Sequence, residues 1–271
     1  MSRVAFARFA LCCIILRYSP SSALLLTPSS TAHPMARWLP LESNPEVINQ
    51  YIAGLGVAAE ADGSRWGFTD IYGFDEELLA MVPQPVAAVT LLFPLTAAYE
   101  TRAKAEAESQ LAASEGQVPD GLFFMRQFIG NACGTIAIVH ALANLGEKLQ
   151  LESGSVFGQF LAKAKAAKPE ERSEILEREE GFSRAHAAAA GGGETACPGL
   201  EEKVDLHFIS FVHHNGLLYE LDGRREFPIR HGAATSETLL SAAASVIKQK
   251  FLADAPGSNR FNAMAFAKLS A

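Results

Sequence analysis

The stretch Gln127-Phe-Ile-Gly-Asn-Ala-Cys133-Gly-Thr-Ile opens the segment whose reading decides the fold. From Asn131 to Leu149 the residues are apolar nearly all round a helical projection. That pattern belongs inside a protein rather than on its surface. Asn131 is a suitable N-cap, which puts Cys133 in the first turn of a buried helix. Free backbone N–H groups and the helix dipole there favour a thiolate over a thiol. Gly130 and Gly134 leave room beside the sulfur for another backbone. A lone cysteine in apolar surroundings is more often a core thiol than a nucleophile. The helix start strengthens the chemical reading without deciding it.

A nucleophilic thiolate needs an acid–base partner, usually histidine. Of the seven histidines, His33 lies in an N-terminal segment unlike the rest. His140 is seven residues along the helix, too far from Cys133 to touch it. His186 falls in an expected loop, His213 and His214 adjoin a turn, and His231 is expected beyond the sheet. His207 differs, because a hairpin brings an acid to it. Val204–Val212 and Leu217–Asp222 read as strands joined by Asn215-Gly216. A two-residue turn pairs His214 with Leu217, Ile209 with Asp222 and His207 with Arg224. Asp222 is then the diagonal neighbour of His207, within side-chain reach. A carboxylate there could fix the imidazole tautomer, although a one-residue bulge would break the register. The plainer alternative is a satisfied sheet histidine. Gln127, just upstream of the helix, could donate its amide to an oxyanion beside the Cys133 N–H; alternatively it is an exposed loop glutamine.

Outward from this centre, Asn44-Pro45-Glu46 reads as a helix start and Gly54 as its end. Short helices are expected near Asp75–Met81, Ser155–Ala164 and Pro169–Arg178. Val86–Phe93 is a continuous β-branched run suited to a buried central strand. Ala97–Ala113 and Ser236–Phe251 carry helical spacing, and Phe261–Leu269 reads as a last strand, with Phe227–Ile229 as a further extension of the sheet. Ala185–Gly199, rich in alanine and glycine, is expected to be a mobile loop. The order of elements implies an α+β fold with helices packed on a largely antiparallel sheet.

The chain has 271 residues, 49% hydrophobic and 20% charged, enough for one large core. Its formal charge is −7, unevenly placed. Residues 1–34 hold Arg3, Arg8 and Arg17 and no acid, so the remainder carries −10. An acidic body argues against nucleic acid and suits a basic partner. Cys12, Cys13, Cys133 and Cys197 give neither a disulfide framework nor a C-x-x-C metal spacing. No apolar run is long enough to span a membrane. Residues 1–34 have the character of a signal or transit peptide, or of an upstream extension with Met35 as the start. They are set apart from the domain at 36–271.

Taken together, these residues resemble the ubiquitin carboxyl-terminal hydrolase family, in its short single-domain form. Gln127–Ile136 resembles the family's active-site segment. Asp205-Leu-His207-Phe-Ile and Leu218-Tyr-Glu-Leu-Asp222-Gly-Arg resemble its histidine and aspartate segments. Trp38–Glu46 and Phe261-Asn-Ala-Met-Ala resemble its two ends. The resemblance implies a papain-like α-β-α sandwich with a knotted backbone. It implies Cys133 as nucleophile on the last glycine carbonyl of ubiquitin, His207 as acid and base, Asp222 as its orienter and Gln127 as oxyanion donor. Asn131 is a supporting candidate, and Glu42 and Glu46 match acids that hold the basic ubiquitin tail. A crossover loop at about 185–203 would restrict adducts to small or unfolded ones. No metal or cofactor is implied, and a cytoplasmic monomer is expected, or an organellar one if residues 1–34 are a presequence. A ubiquitin-like protein is an alternative partner. A low-turnover ubiquitin-binding protein that buffers monoubiquitin is the alternative function, and an unrelated papain-like thiol hydrolase or transferase is a third.

Overall fold

The computed structural model describes residues 37–193 and 204–271. The N-terminal segment 1–34, Cys12, Cys13 and Cys197, and positions 194–203 of the expected crossover loop lie outside the described residues.

Helix α1 (Pro45–Gly54) starts where Asn44 accepts a hydrogen bond from the Glu46 N–H. It is followed by strand β1 (Arg65–Asp70), helix α2 (Glu76–Leu79), strand β2 (Val86–Pro94) and helix α3 (Ala97–Ala112). Helix α4 (Cys133–Leu145) runs into a single 3-10 turn, so it ends four residues earlier than its apolar pattern suggests. Helices α5 (Val156–Ala164), α6 (Pro169–Arg178) and α7 (Glu180–Ala190) come next. Strands β3 (Leu206–His214), β4 (Leu217–Leu221) and β5 (Ile229–Ala233) precede helix α8 (Leu239–Val246). A π-helical turn, Ile247–Phe251, continues α8 into α9 (Leu252–Asp254), and β6 (Asn262–Leu269) ends the chain.

The six strands form one sheet in the order β1-β6-β2-β3-β4-β5, with every pairing antiparallel. Strand β2 lies between β6 and β3, which explains its unbroken apolar run. Helices cover both faces. On one side α4 packs on β2 and β3, with α1, α5, α6 and α7 in the same cluster. On the other, α3 and α8 share a core with Leu91, Phe93, Ile209 and Phe211. This is the α+β fold expected, with helices on a central sheet.

Three sequence expectations need correction, and one strand goes unanticipated. Asn131 does not cap α4; it has φ +60, and Ala132 occupies the cap position without a side-chain bond. Cys133 is therefore the first helical residue. The loop expected from Ala185 is helical as far as Ala190, because alanine has the highest helix propensity and the glycines act only from Gly191 onward. His231 lies in β5 rather than beyond the sheet. Strand β1, to which the sequence reading assigns no element, has Gly67 at its middle, which weakens its pattern.

β1 is an edge strand, and its outward backbone is met by a side chain. The Asn49 amide donates to the Phe68 carbonyl at 2.8 Å and accepts from the Phe68 N–H at 2.7 Å. One residue of α1 thus closes the edge and ties helix to sheet. Asn49→Leu removes both bonds and is expected to lower unfolding stability by about 2 kcal/mol in urea titrations. A loss under about 0.5 kcal/mol would show that the edge is held by packing alone.

Candidate active site

Each candidate side chain is placed by a different element. Cys133 is set at the tip of α4, which can lie close to β3 because Gly134 is small. A Cβ there would sit 3.2 Å from the Leu41 Cβ and 3.4 Å from the Phe208 ring. Ser210 of β3 adds a hydrogen bond to the Ala137 carbonyl at 2.9 Å. The thiol is half-buried.

The hairpin keeps the register that its turn dictates. Asn215 (φ +48) and Gly216 (φ +82) form the two-residue loop, and His214 pairs with Leu217. The ladder stops at Ser210–Leu221, so the expected pairs Ile209–Asp222 and His207–Arg224 do not form. The cause is local: the Arg224 N–H donates to the Asp222 carboxylate at 2.9 Å, and the Arg225 N–H to the Asp222 carbonyl at 3.0 Å. This turn draws the backbone out of the ladder. Asp222 nevertheless reaches its partner, with His207 Nε2 donating to Oδ1 at 2.7 Å. Both side chains are buried, at 3% and 1% exposure.

The remaining imidazole nitrogen is left for Cys133, which hydrogen-bonds His207. Burial by itself would raise the thiol pKa, but the His207 hydrogen bond and charge, with the N–H groups of Phe208 and Gly134, bring it below the ordinary thiol value. For His207, burial works against the cation, whereas the Asp222 carboxylate and Cys133 raise its pKa to about 10. Asp222 is held well below the usual carboxylate range: burial opposes this, and His207, Arg225 and the Arg224 N–H outweigh it. The arrangement shifts the Cys133–His207 pair toward thiolate and imidazolium.

Gln127 is fixed beside the same turn, its N–H donating to the Gly223 carbonyl at 2.8 Å. Only glycine fits at 223, since a Cβ would come within 2.9 Å of Ile136 and 3.0 Å of the Gln127 Cβ. The Gln127 amide donates one hydrogen to the Ile129 carbonyl at 3.1 Å, and its second hydrogen remains. Asn131 Nδ2 is buried without a hydrogen-bond partner. Glu42 accepts from Asn44 at 3.3 Å and lies against Gly193, while Glu46 is exposed at the start of α1. These contacts do not join either acid to Cys133. Among the described residues no group of His, Cys, Asp or Glu is arranged to hold a metal ion, and no helix is long and apolar enough to cross a membrane.

A second histidine network escapes the sequence reading. His186 of α7 is buried, with Nε2 2.6 Å from the Leu39 carbonyl and Nδ1 2.8 Å from Thr135 Oγ1. A carbonyl only accepts, so Nε2 carries the proton. With the imidazole neutral, Nδ1 accepts from Thr135, which in turn accepts from the Tyr51 hydroxyl at 3.0 Å. Burial lowers the His186 pKa to about 4, which keeps the ring neutral. The Trp38 ring lies 4.6 Å away. This clasp fastens α7 and the strip around Trp38 to the first turn of α4. Tyr99 escapes that reading too: its hydroxyl donates to Asp222 Oδ2 at 2.9 Å across 123 positions of sequence, and no local pattern signals that.

His207→Asn removes the charge that offsets burial of the thiol. Iodoacetamide alkylation of Cys133 near pH 6 should then slow at least about tenfold, with its midpoint moving to higher pH. An unchanged rate profile would mean that His207 does not set the state of the thiol.

Comparisons with known proteins place the chain in a family and a fold. Residues 38–252 match the family model described as ubiquitin carboxyl-terminal hydrolase, family 1. The chain is 45% identical over 220 residues to a ubiquitin carboxyl-terminal hydrolase of Aplysia californica, covering 81% of this chain and 97% of that one. It is 43% identical over 229 residues to ubiquitin carboxyl-terminal hydrolase isozyme L1 of Homo sapiens, covering 84% and 97%. Its fold resembles that of the Trichinella spiralis UCH37 catalytic domain bound to ubiquitin vinyl methyl ester, with a TM-score of 0.65 and 23% identity over 87% of this chain and 97% of that one.

Proposed function

The chain belongs to ubiquitin carboxyl-terminal hydrolase family 1, the thiol-dependent hydrolases of the ubiquitin C-terminus, and from that premise we propose that it releases small or unfolded adducts from the last glycine of ubiquitin through an acyl-enzyme on Cys133. The observation that carries this reading is the unbroken contact chain from Cys133 through His207 to Asp222 at the tip of a buried helix.

The chemistry follows from the charges. The Cys133 thiolate attacks the glycine carbonyl carbon, and the oxyanion takes hydrogen bonds from the Cys133 N–H and the second Gln127 amide hydrogen. Imidazolium His207 gives its proton to the leaving amine as the C–N bond breaks, leaving a thioester. Neutral His207 then takes a proton from water, whose oxygen attacks the thioester carbonyl; the C–S bond breaks, releasing the ubiquitin carboxyl group and restoring the Cys133 thiolate beside imidazolium His207. Asp222 keeps Nε2 protonated throughout, so that the other nitrogen faces the sulfur.

Glu42 and Glu46, on an acidic body, would receive the basic tail, with Asn131 supporting the oxyanion side. A ubiquitin-like protein with a similar tail is the alternative partner. The knotted backbone and the strap at 185–203, both implied by the family resemblance, complete this reading. Because α7 extends to Ala190, the first part of that strap is helical rather than the loop its composition suggests.

The test is hydrolysis of ubiquitin carrying a fluorogenic C-terminal amide, beside Cys133→Ala. Turnover by the wild type and none by the variant is expected; tight binding with no turnover in either would make the protein a ubiquitin buffer instead. In the same assay Glu46→Arg should raise KM roughly three- to tenfold with little change in kcat, as loss of uniform binding does. An unchanged KM removes Glu46 from the tail site.

A further inference from the structure

We propose that Tyr99 is a positioning residue for this reaction: its hydroxyl holds the Asp222 carboxylate toward His207 against the competing pull of Arg225. The inference rests on the assignment of Cys133, His207 and Asp222 made above.

The two carboxylate oxygens of Asp222 are held differently. Oδ1 accepts from His207 Nε2 at 2.7 Å and from the Arg224 N–H at 2.9 Å. Oδ2 accepts from the Tyr99 hydroxyl at 2.9 Å, and Arg225 Nε lies 3.8 Å from it. Arg225 is largely buried and under-satisfied. Its Nη1 donates to the Ala103 carbonyl at 2.8 Å, but Nε and Nη2 make no hydrogen bond. Glu220 stands 3.3 Å from Nη2 and Glu106 4.0 Å from it, so neither completes the fork. A guanidinium with open donors beside a carboxylate tends toward a two-point pair. Turning Oδ2 to meet Arg225 would rotate Oδ1 out of line with His207. Tyr99 prevents that rotation.

The tyrosine ring is itself immobile. It is 2% exposed and packed 4.7 Å edge-on to Phe93 and 5.9 Å from Phe251. The Arg102 guanidinium lies 5.4 Å from the ring centre. Phe93 also meets the His207 ring edge-on at 5.9 Å. One aromatic cluster therefore supports both the imidazole and the hydroxyl that aims its carboxylate. Burial and the Asp222 charge push the Tyr99 phenol far above its ordinary range, so it remains a donor at every working pH.

The titratable and charged groups facing Asp222 are His207 from β3, Glu220 at the end of β4, Arg224 and Arg225 from the following turn, Glu106 beyond Arg225 on α3, and His140 from α4, whose pKa burial lowers to about 4. Tyr99→Phe leaves all of them in place and removes one oxygen. The experiment compares this variant with the wild type, Cys133→Ala and Asp222→Asn, using the fluorogenic ubiquitin amide across the pH range, with thermal unfolding of each. Tyr99→Phe should lower kcat about tenfold at unchanged KM. The alkaline limb of kcat/KM should move to lower pH, because His207 keeps its proton less tightly when Asp222 turns away. An NMR titration of the His207 ring reads the same shift without turnover. A limb and ring titration that stay in place, or move upward, overturn the proposal even if kcat falls, since packing loss alone would do that. Equal hydrolysis by the wild type and Cys133→Ala would instead overturn the assignment of the nucleophile.

Discussion

A buried carboxylate must be surrounded by donors, and Asp222 is the one on which this architecture turns. At 1% exposure it cannot stay charged on solvation by water. Its donors come from separate parts of the chain: His207 from β3, the Arg224 N–H from its own turn and Tyr99 from α3. The ion pairs continue outward. Arg225 faces Glu220, Glu220 accepts from His231 at 2.7 Å, and His231 accepts from Lys250, which pairs with Glu106. Removing one partner from such a network leaves the others buried and uncompensated. The placement of α3, β5 and the π-helical turn is thereby linked to the state of one carboxylate beside His207.

The site lies where the two layers meet. Along β3, Phe208 and Val212 belong to the core beneath α4, and Ile209 and Phe211 to the core beneath α8. His207 shares the parity of the second set yet hydrogen-bonds Cys133, which α4 brings from the first. The thiol and its imidazole partner are thus supported by different cores. Between the cores, β2 pairs with β6 and β3, and β3 with β4. The His186–Thr135–Tyr51 clasp performs the same service on the outer side, tying α7 to the turn of α4 that follows Cys133.

Local signals make much of this legible. The Asn215-Gly216 turn sets the hairpin register, and that register alone is enough to bring an acid near His207. It fails only past Leu221, where Asp222 bonds its own downstream backbone and leaves the strand. Asn131 resembles a cap because asparagine usually is one, but the chain needs a left-handed residue there, which asparagine tolerates as well. The alanine run at 187–190 has the composition of a loop together with its glycines, yet its intrinsic preference is helical and α7 follows that preference.

The sequence by itself determined the helix that starts at Cys133, the hairpin that brings Asp222 near His207 and the helix-on-sheet fold class, because each depends on residue type and on spacings within a helix or a hairpin; the meeting of Cys133 with His207 depends on the packing of α4 on β3. The family resemblance added the substrate, which no local pattern encodes. Only the tertiary structure decided what holds that set in line: Tyr99 on Asp222, His186 on Thr135 and Asn49 on the sheet edge. Those contacts join residues 123, 51 and 19 positions apart. Hydrogen bonds between distant segments are fixed by the packing of whole layers, and no periodicity along the chain records them.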